Sequence, residues 1–175
     1  MTEMSRFEKD FCTGRMYRAF AQRVIVPWAL DGFHPTGETL EIGSGSGAMA
    51  ARLLNDFPDL RIVATDYDTE LVAVSAQSLK PFGERARVQR ADAAALPFPD
   101  DRFDIVLSFA MFHHVPDWKR AVAEALRVLR PGGALVGYDL SRLRQLDAEL
   151  HRLPAHDVRT RRSLGGLFLR FRVIK

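Results

Sequence analysis

Three glycines at alternate positions, Gly43, Gly45 and Gly47, follow a short apolar run and open a helix-like segment, with the carboxylate of Glu41 just ahead of them. A glycine lets the backbone turn sharply or approach a ligand more closely than a Cβ permits, and a helix start offers N–H groups without internal partners. Leu40 to Gly47 therefore reads as a loop that holds a nucleotide-type cofactor, with Ser44 among its contacts. Gly43-x-Gly45-x-x-Ala48 has the form of the dinucleotide fingerprint, but the loop alone does not name the cofactor. Asp66 ends a second apolar run about 20 residues further on, where a ribose-binding acid belongs. Asp92 ends a third run and is followed by Ala93 and then by Leu96-Pro97-Phe98. His113 and His114 follow a fourth, and a histidine there can act as general base at neutral pH. The pair has no companion carboxylate or cysteine at ligand spacing, and Asp117 reads as a helix cap, so no metal site is expected.

These residues stand at the ends of elements whose alternation predicts an α/β fold. Strands are expected near residues 39–42, 61–65, 87–90, 103–109 and 134–138. Between them lie helices over 47–57, over 69–79 with Asp68 as N-cap, and from Pro116-Asp117 to Leu129, the last closed by Pro131-Gly132-Gly133. A helix over 142–153 and two strands, 158–163 and 167–174, joined by a turn at Leu164-Gly165-Gly166, complete the pattern. Ahead of the first strand, Met16, Phe20, Val24 and Trp28 recur every fourth residue, which gives residues 14–30 one apolar helical face that Pro27 should kink or divide.

A chain of 175 residues, 47% hydrophobic and 27% charged, fits a single soluble domain with a real core. One cysteine, Cys12, excludes an internal disulfide and a cysteine metal cluster, and no stretch approaches the ~20 apolar residues of a membrane span, so a soluble, cytoplasmic protein is expected. The net charge of +3 is unevenly spread: residues 1–140 carry 16 Lys and Arg against 19 Asp and Glu, residues 141–175 carry 9 against 3. Strand alternation puts Arg159 with Arg161, and Arg170 with Arg172, in an outward row, with Leu167, Leu169, Phe171 and Val173 turned to the core. Such a row is expected to be non-catalytic.

Taken in order, the glycine loop, Asp66, Asp92-Ala93 with Leu96-Pro97-Phe98, residues 103–108 and Val128 to Leu135 around Pro131-Gly132-Gly133 resemble the class I S-adenosylmethionine-dependent methyltransferases, in the branch with the ubiquinone and menaquinone methyltransferases. The resemblance implies a Rossmann-like, doubly wound, mostly parallel seven-stranded sheet with an antiparallel strand from the C-terminal hairpin and helices at the N-terminus. It implies S-adenosylmethionine as cofactor and S-adenosylhomocysteine as product, with Glu41 serving the methionyl ammonium, Gly43, Ser44, Gly45 and Gly47 the loop, and Asp66 the ribose diol. Tyr67 would stack on adenine, Asp92 and the Ala93 N–H would read its edge, and Ser108 and Phe109 would lie beneath the sulfonium, with the Ser108 carbonyl a candidate partner for the methionyl ammonium. The link after Tyr138 is short, so residues 1–36, with Tyr17, Phe20 and Trp28, are expected to form a substrate lid over a core of residues 37–175. The expected reaction is in-line transfer of the methyl group to a small-molecule acceptor, with His113 or His114 the candidates for proton transfer. A lipid or quinone acceptor, RNA as acceptor, a binding module without turnover and a nicotinamide oxidoreductase are the alternatives; no stable nucleic-acid partner is expected.

Overall fold

The computed structural model describes residues 14–141, 143, 145–163 and 165–175, without the side chains of Arg15, Tyr17 and Arg18. Cys12 lies outside the described residues, as does the side chain of Tyr17. Seven strands form one sheet: β1 (Gly37–Ile42), β2 (Leu60–Asp66), β3 (Ala86–Arg90), β4 (Phe103–Phe109), β5 (Leu129–Leu140), β6 (Asp157–Ser163) and β7 (Phe168–Ile174). Their order is β3-β2-β1-β4-β5-β7-β6. Strands β1 to β5 pair in parallel, and β7 runs antiparallel to both β5 and β6. The expected doubly wound sheet with one reversed strand is the one observed.

The helices divide between the two faces. On one, α1 (Arg15–Phe20), a π-helical stretch at Ala21–Ile25, α2 (Val26–Leu30), α3 (Ala48–Asp56) and α4 (Thr69–Leu79) precede and link β1 to β3. Ala21, Val26, Leu30, Met49, Leu53 and Leu79 pack there in one cluster with Ile105, Leu107, Val136 and Tyr138 of the sheet. On the other face, α5 (Trp118–Val128) and α6 (Leu146–Leu150) bury Val122, Leu126, Leu146 and Leu150 against Leu135, Leu169, Phe171 and Val173. The crossover therefore changes sides between β1 and β4, which opens a crevice at the carboxyl ends of those two strands.

Local chemistry sets the element ends. Asp68 caps α4 as expected, its carboxylate accepting from the N–H groups of Glu70 and Leu71. Pro27 lies in the first turn of α2, and the turn before it is π-helical, so the chain passes the missing N–H without breaking the helical run. Three expectations are corrected. Pro131-Gly132-Gly133 lies inside β5 and not after a helix: α5 stops at Val128, and the register of β4 on β5 jumps between Phe103 and Ile105 to admit the extra residues. The predicted helix over 142–153 contracts to the five residues of α6. Leu167 precedes β7 and is 66% exposed, outside the buried row of Leu169, Phe171 and Val173.

The N-terminal helices also dispose of the expected outward arginine row. Arg170 is 9% exposed, donating to the Trp28 carbonyl at 2.8 Å and to the Asp31 carboxylate at 2.6 Å. Arg172 donates to the Leu30 carbonyl and lies over the Phe33 ring. Only Arg159 and Arg161 remain exposed.

Candidate active site

The crevice is floored by the turn after β1. The N–H groups of Gly43 and Ser44 both donate to the Thr65 carbonyl, which ties the turn to the end of β2, and the Gly45 N–H donates to Asp66 Oδ2 at 2.9 Å. The three glycines adopt positive φ but serve different ends. A Cβ on Gly43 would fall 2.2 Å from Met111 Cγ, and one on Gly47 would fall 2.8 Å from Ser75 Oγ of α4. Those two positions are close-packed against protein. At Gly45 a Cβ would meet nothing within 4 Å, so this residue alone of the three faces open space that a ligand can fill.

Carboxylates converge beside the turn. Glu41 on β1 is 2% exposed and its Oε2 has no partner among the described residues. Burial, and secondarily the negative charge of Asp66, push its carboxyl up to about 8. Burial of this kind favours the neutral form of the acid. Asp66 is also raised by burial, against the lowering effect of the Asp68 and Gly45 N–H groups that it accepts from. Each Asp66 oxygen takes one such bond, leaving lone pairs for the hydroxyls of a ribose. Tyr67 follows, with the Arg90 guanidinium over its ring at 4.8 Å. Asp92 lies in the turn after β3, where Oδ1 accepts from the Ala94 N–H, and Ala93 beside it is buried.

The end of β4 brings in the remaining candidates. Ser108 is fully buried, its Oγ unpartnered among the described residues, and its carbonyl oxygen rests against Gly137 of β5, where a Cβ would lie 1.8 Å away. Gly137 is a requirement the sequence did not announce. Phe109 stacks at a tilt on Tyr138, in the cluster beneath the N-terminal helices. Beyond it, Phe112–His114 form a short 3₁₀ turn, and His113 Nδ1 meets Asp139 Oδ1 at 2.6 Å. The sequence places no carboxylate at ligand spacing from the histidines, and the fold brings this one from 26 residues away. In the tautomer with the proton on Nδ1, that nitrogen donates to the carboxylate and Nε2 is left as the acceptor. Asp139 is itself fixed by the Leu140 N–H at 2.6 Å and is wholly buried. His114 lies beside His113 with ring centroids 4.0 Å apart. Since Met111 touches Gly43, the histidine turn and the glycine turn are in contact.

Of the expected lid residues, Trp28 is an anchor. Its ring meets Tyr138 and Phe168 edge-on at 5.2 and 6.1 Å. Phe20 is 54% exposed, and two residues later Gln22 Nε2 donates to the Ala48 carbonyl at the start of α3, so this part of the chain stands beside the glycine turn. No group of three or more His, Cys, Asp or Glu side chains is disposed to hold a metal among the described residues.

The methyltransferase-domain family matches residues 40–137, more than half of the chain. The chain belongs to the class I S-adenosylmethionine-dependent methyltransferase family. It is 36% identical over 97 residues to a demethylmenaquinone methyltransferase of Thermus thermophilus, an alignment that covers 55% of this chain and 44% of the relative. It is 31% identical over 143 residues to a ubiquinone/menaquinone biosynthesis C-methyltransferase of Geobacter sulfurreducens, covering 79% and 55%. The chain thus spans about half the length of these curated relatives. A solved S-adenosylmethionine-dependent methyltransferase from Aquifex aeolicus superposes with a TM-score of 0.79 at 15% identity, over 98% of this chain and 99% of that one, which shows a shared fold. S-adenosylmethionine is the cofactor of the family, and the open space at Gly45 between Glu41 and Asp66 suits it. No helix among the described residues is long and apolar enough to cross a membrane.

Proposed function

We propose that the chain transfers the sulfonium methyl group of S-adenosylmethionine to a small aromatic acceptor of the quinol or phenol type. When bound, the cofactor supplies an electrophilic methyl group, so the protein's task is to orient, to exclude water and to move one proton. Glu41 receives the methionyl ammonium, Asp66 the ribose hydroxyls, and Asp92 with the Ala93 N–H the adenine edge, with Tyr67 against its ring; Gly45 leaves room for them to meet. The observation that carries the reading is the His113–Asp139 pair, held against the glycine turn through Met111 and Gly43. His113 Nε2 takes the acceptor's hydroxyl proton, which makes the ring carbon or oxygen more nucleophilic, and Asp139 stabilises the imidazolium that results. His114 shapes the same wall.

The two relatives, a demethylmenaquinone methyltransferase and a ubiquinone/menaquinone biosynthesis C-methyltransferase, favour a quinone-like acceptor, as does the apolar surface nearby. Met16, Phe20 and Val24 repeat along the N-terminal helical segment and are 89%, 54% and 50% exposed. In this reading, residues 1–36 contribute the acceptor wall, with Trp28 as its hinge pin and Phe20 as its working face. One cysteine in 175 residues suits a reducing, cytoplasmic compartment. The test is turnover of quinols and phenols with methyl-labelled cofactor, in the parent chain and in His113→Gln and Asp139→Asn. Each variant should lower kcat by about 10²–10⁴-fold with cofactor affinity retained. Tight cofactor binding with no methylation anywhere in the screen would leave a binding module instead.

A further inference from the structure

β6 is the outer strand of the sheet, and Arg159 and Arg161 on it stand directly across from Arg172 and Arg170 of β7. Directly opposed side chains have Cβ atoms about 4.5–5.5 Å apart, and like charges so placed repel. The fold holds the inner pair and offsets one of its two charges, since Arg170 meets the Asp31 carboxylate and the Trp28 carbonyl while Arg172 meets the neutral Leu30 carbonyl. The outer pair is not held in this way. Arg159 has only Asp157, on the rim, and is itself 74% exposed, whereas Arg161 has no ion pair among the described residues. Between the two pairs lies an open cleft of about 330 Å³, bounded by these four arginines with Ala29 and Asp31.

We propose that this cleft binds a phosphate monoester. Four guanidinium groups against Asp31 and Asp157 leave a charge of 4 − 2 = +2, and a phosphoryl group carries about −1.5 to −2 near neutral pH. A carboxylate would leave half of that charge unmatched. Guanidinium forks bind phosphate oxygens in pairs, and strands spaced as β6 and β7 are allow forks from both to reach one tetrahedral anion. The volume admits the phosphoryl group with a small organic remainder. The site shares no residue with the glycine turn or with the His113–Asp139 pair, so it is a second site, joined to the first through Ala29 and Asp31 of the N-terminal segment. An anion drawn to Arg170 also competes with Asp31 at the end of the N-terminal helices, and Trp28, 5.8 Å from that guanidinium, lies where it will sense the exchange.

Calorimetry with glycerol phosphate, at ionic strength held constant with KCl, tests the proposal on the full chain and on Arg159→Gln/Arg161→Gln. The parent should bind saturably, with a change in Trp28 emission in a Trp118→Phe background. The double variant should bind at least about tenfold more weakly and keep its affinity for S-adenosylhomocysteine, which shows that it is folded. Vesicles of phosphatidylcholine with phosphatidic acid distinguish the source of the phosphoryl group. If it is a lipid headgroup, they sediment the protein and glycerol phosphate releases it; if it is a soluble monoester, the protein stays in the supernatant while calorimetry remains saturable. The proposal is overturned by a response that vanishes at constant ionic strength, or by a double variant that binds as the parent does.

Discussion

Glu41 offers a sharp test of the cofactor site, because its carboxyl titrates near neutrality for reasons visible in the fold. Burial, and then Asp66, raise it from 4.5 to about 8, so at pH 7 roughly 0.9 of the cofactor-free molecules carry the proton. The unfolded chain loses that proton near the ordinary value. Between the two pKa values the folded state binds more protons, so stability without cofactor falls as pH rises from about 4.5 to about 8, by up to about 1.4 kcal/mol per pH unit. A methionyl ammonium beside Glu41 reverses the preference and expels the proton. Binding of S-adenosylhomocysteine, which carries the same ammonium, should therefore release roughly 0.9 proton at pH 7. Its affinity should rise about tenfold per unit between about pH 5.5 and 7, a window in which an α-amino group stays cationic. Calorimetry in two buffers of different ionisation enthalpy reads the proton directly. Glu41→Gln should bind more weakly, release no proton and lose the pH slope, and its cofactor-free form should be more stable at pH 7 by roughly 3 kcal/mol at most. Proton-neutral binding by the parent, or equal release by the variant, would refute the assignment.

The other expectations follow from contacts nearby. Asp66→Ala should weaken cofactor binding by about 1.5–3 kcal/mol in a folded protein, by calorimetry; an unchanged Kd would place the ribose elsewhere. Gly45→Ala meets open space and should cost only about 1–2 kcal/mol of stability from its left-handed backbone while losing most cofactor affinity, whereas Gly43→Ala must displace Met111 and should lower kcat as well. Equal losses for the two glycines would contradict their different surroundings. Trp28→Ala should cost about 3–5 kcal/mol in denaturant melts through its lost packing on Tyr138 and Phe168, while Phe20→Ala should change acceptor KM and leave the midpoint alone. An unstable Phe20 variant would make that residue part of the core.

Strands β2 and β4 were legible as short apolar runs ended by a turn residue, and the glycine spacing, Asp66 and the Asp68 cap could be read from the order of residues alone. What stayed hidden depends on distance along the chain. His113 and Asp139 are 26 residues apart, one in the turn after β4 and the other near the end of β5, and only the parallel pairing of β4 with β5 brings them together. Alternation put Arg170 and Arg172 on the right face of β7 but said nothing of what covers that face, and their partner Asp31 lies 139 residues away from Arg170. Pro131-Gly132-Gly133 looked like a helix stop because proline and glycine interrupt regular strands, yet the register shift against β4 absorbs them.

The placement of the site follows from the one change of side in the sheet. α3 leaves β1 toward one face and α5 follows β4 on the other, so the turns that begin these two connections diverge and leave a crevice between them. The first turn carries the glycines, with Glu41 just before it on β1, and the second carries His113. The close contact of Gly43 with Met111 sets the distance between these two turns, and in the proposed reaction between the methyl donor and the group that receives the acceptor's proton. In a displacement reaction that distance is the quantity to be controlled, since the protein contributes chiefly by alignment. A glycine at 43 is thus a constraint on the histidine turn through Met111, and the N-terminal helices are pinned by Gln22 to α3 and by Trp28 to β5 and β7.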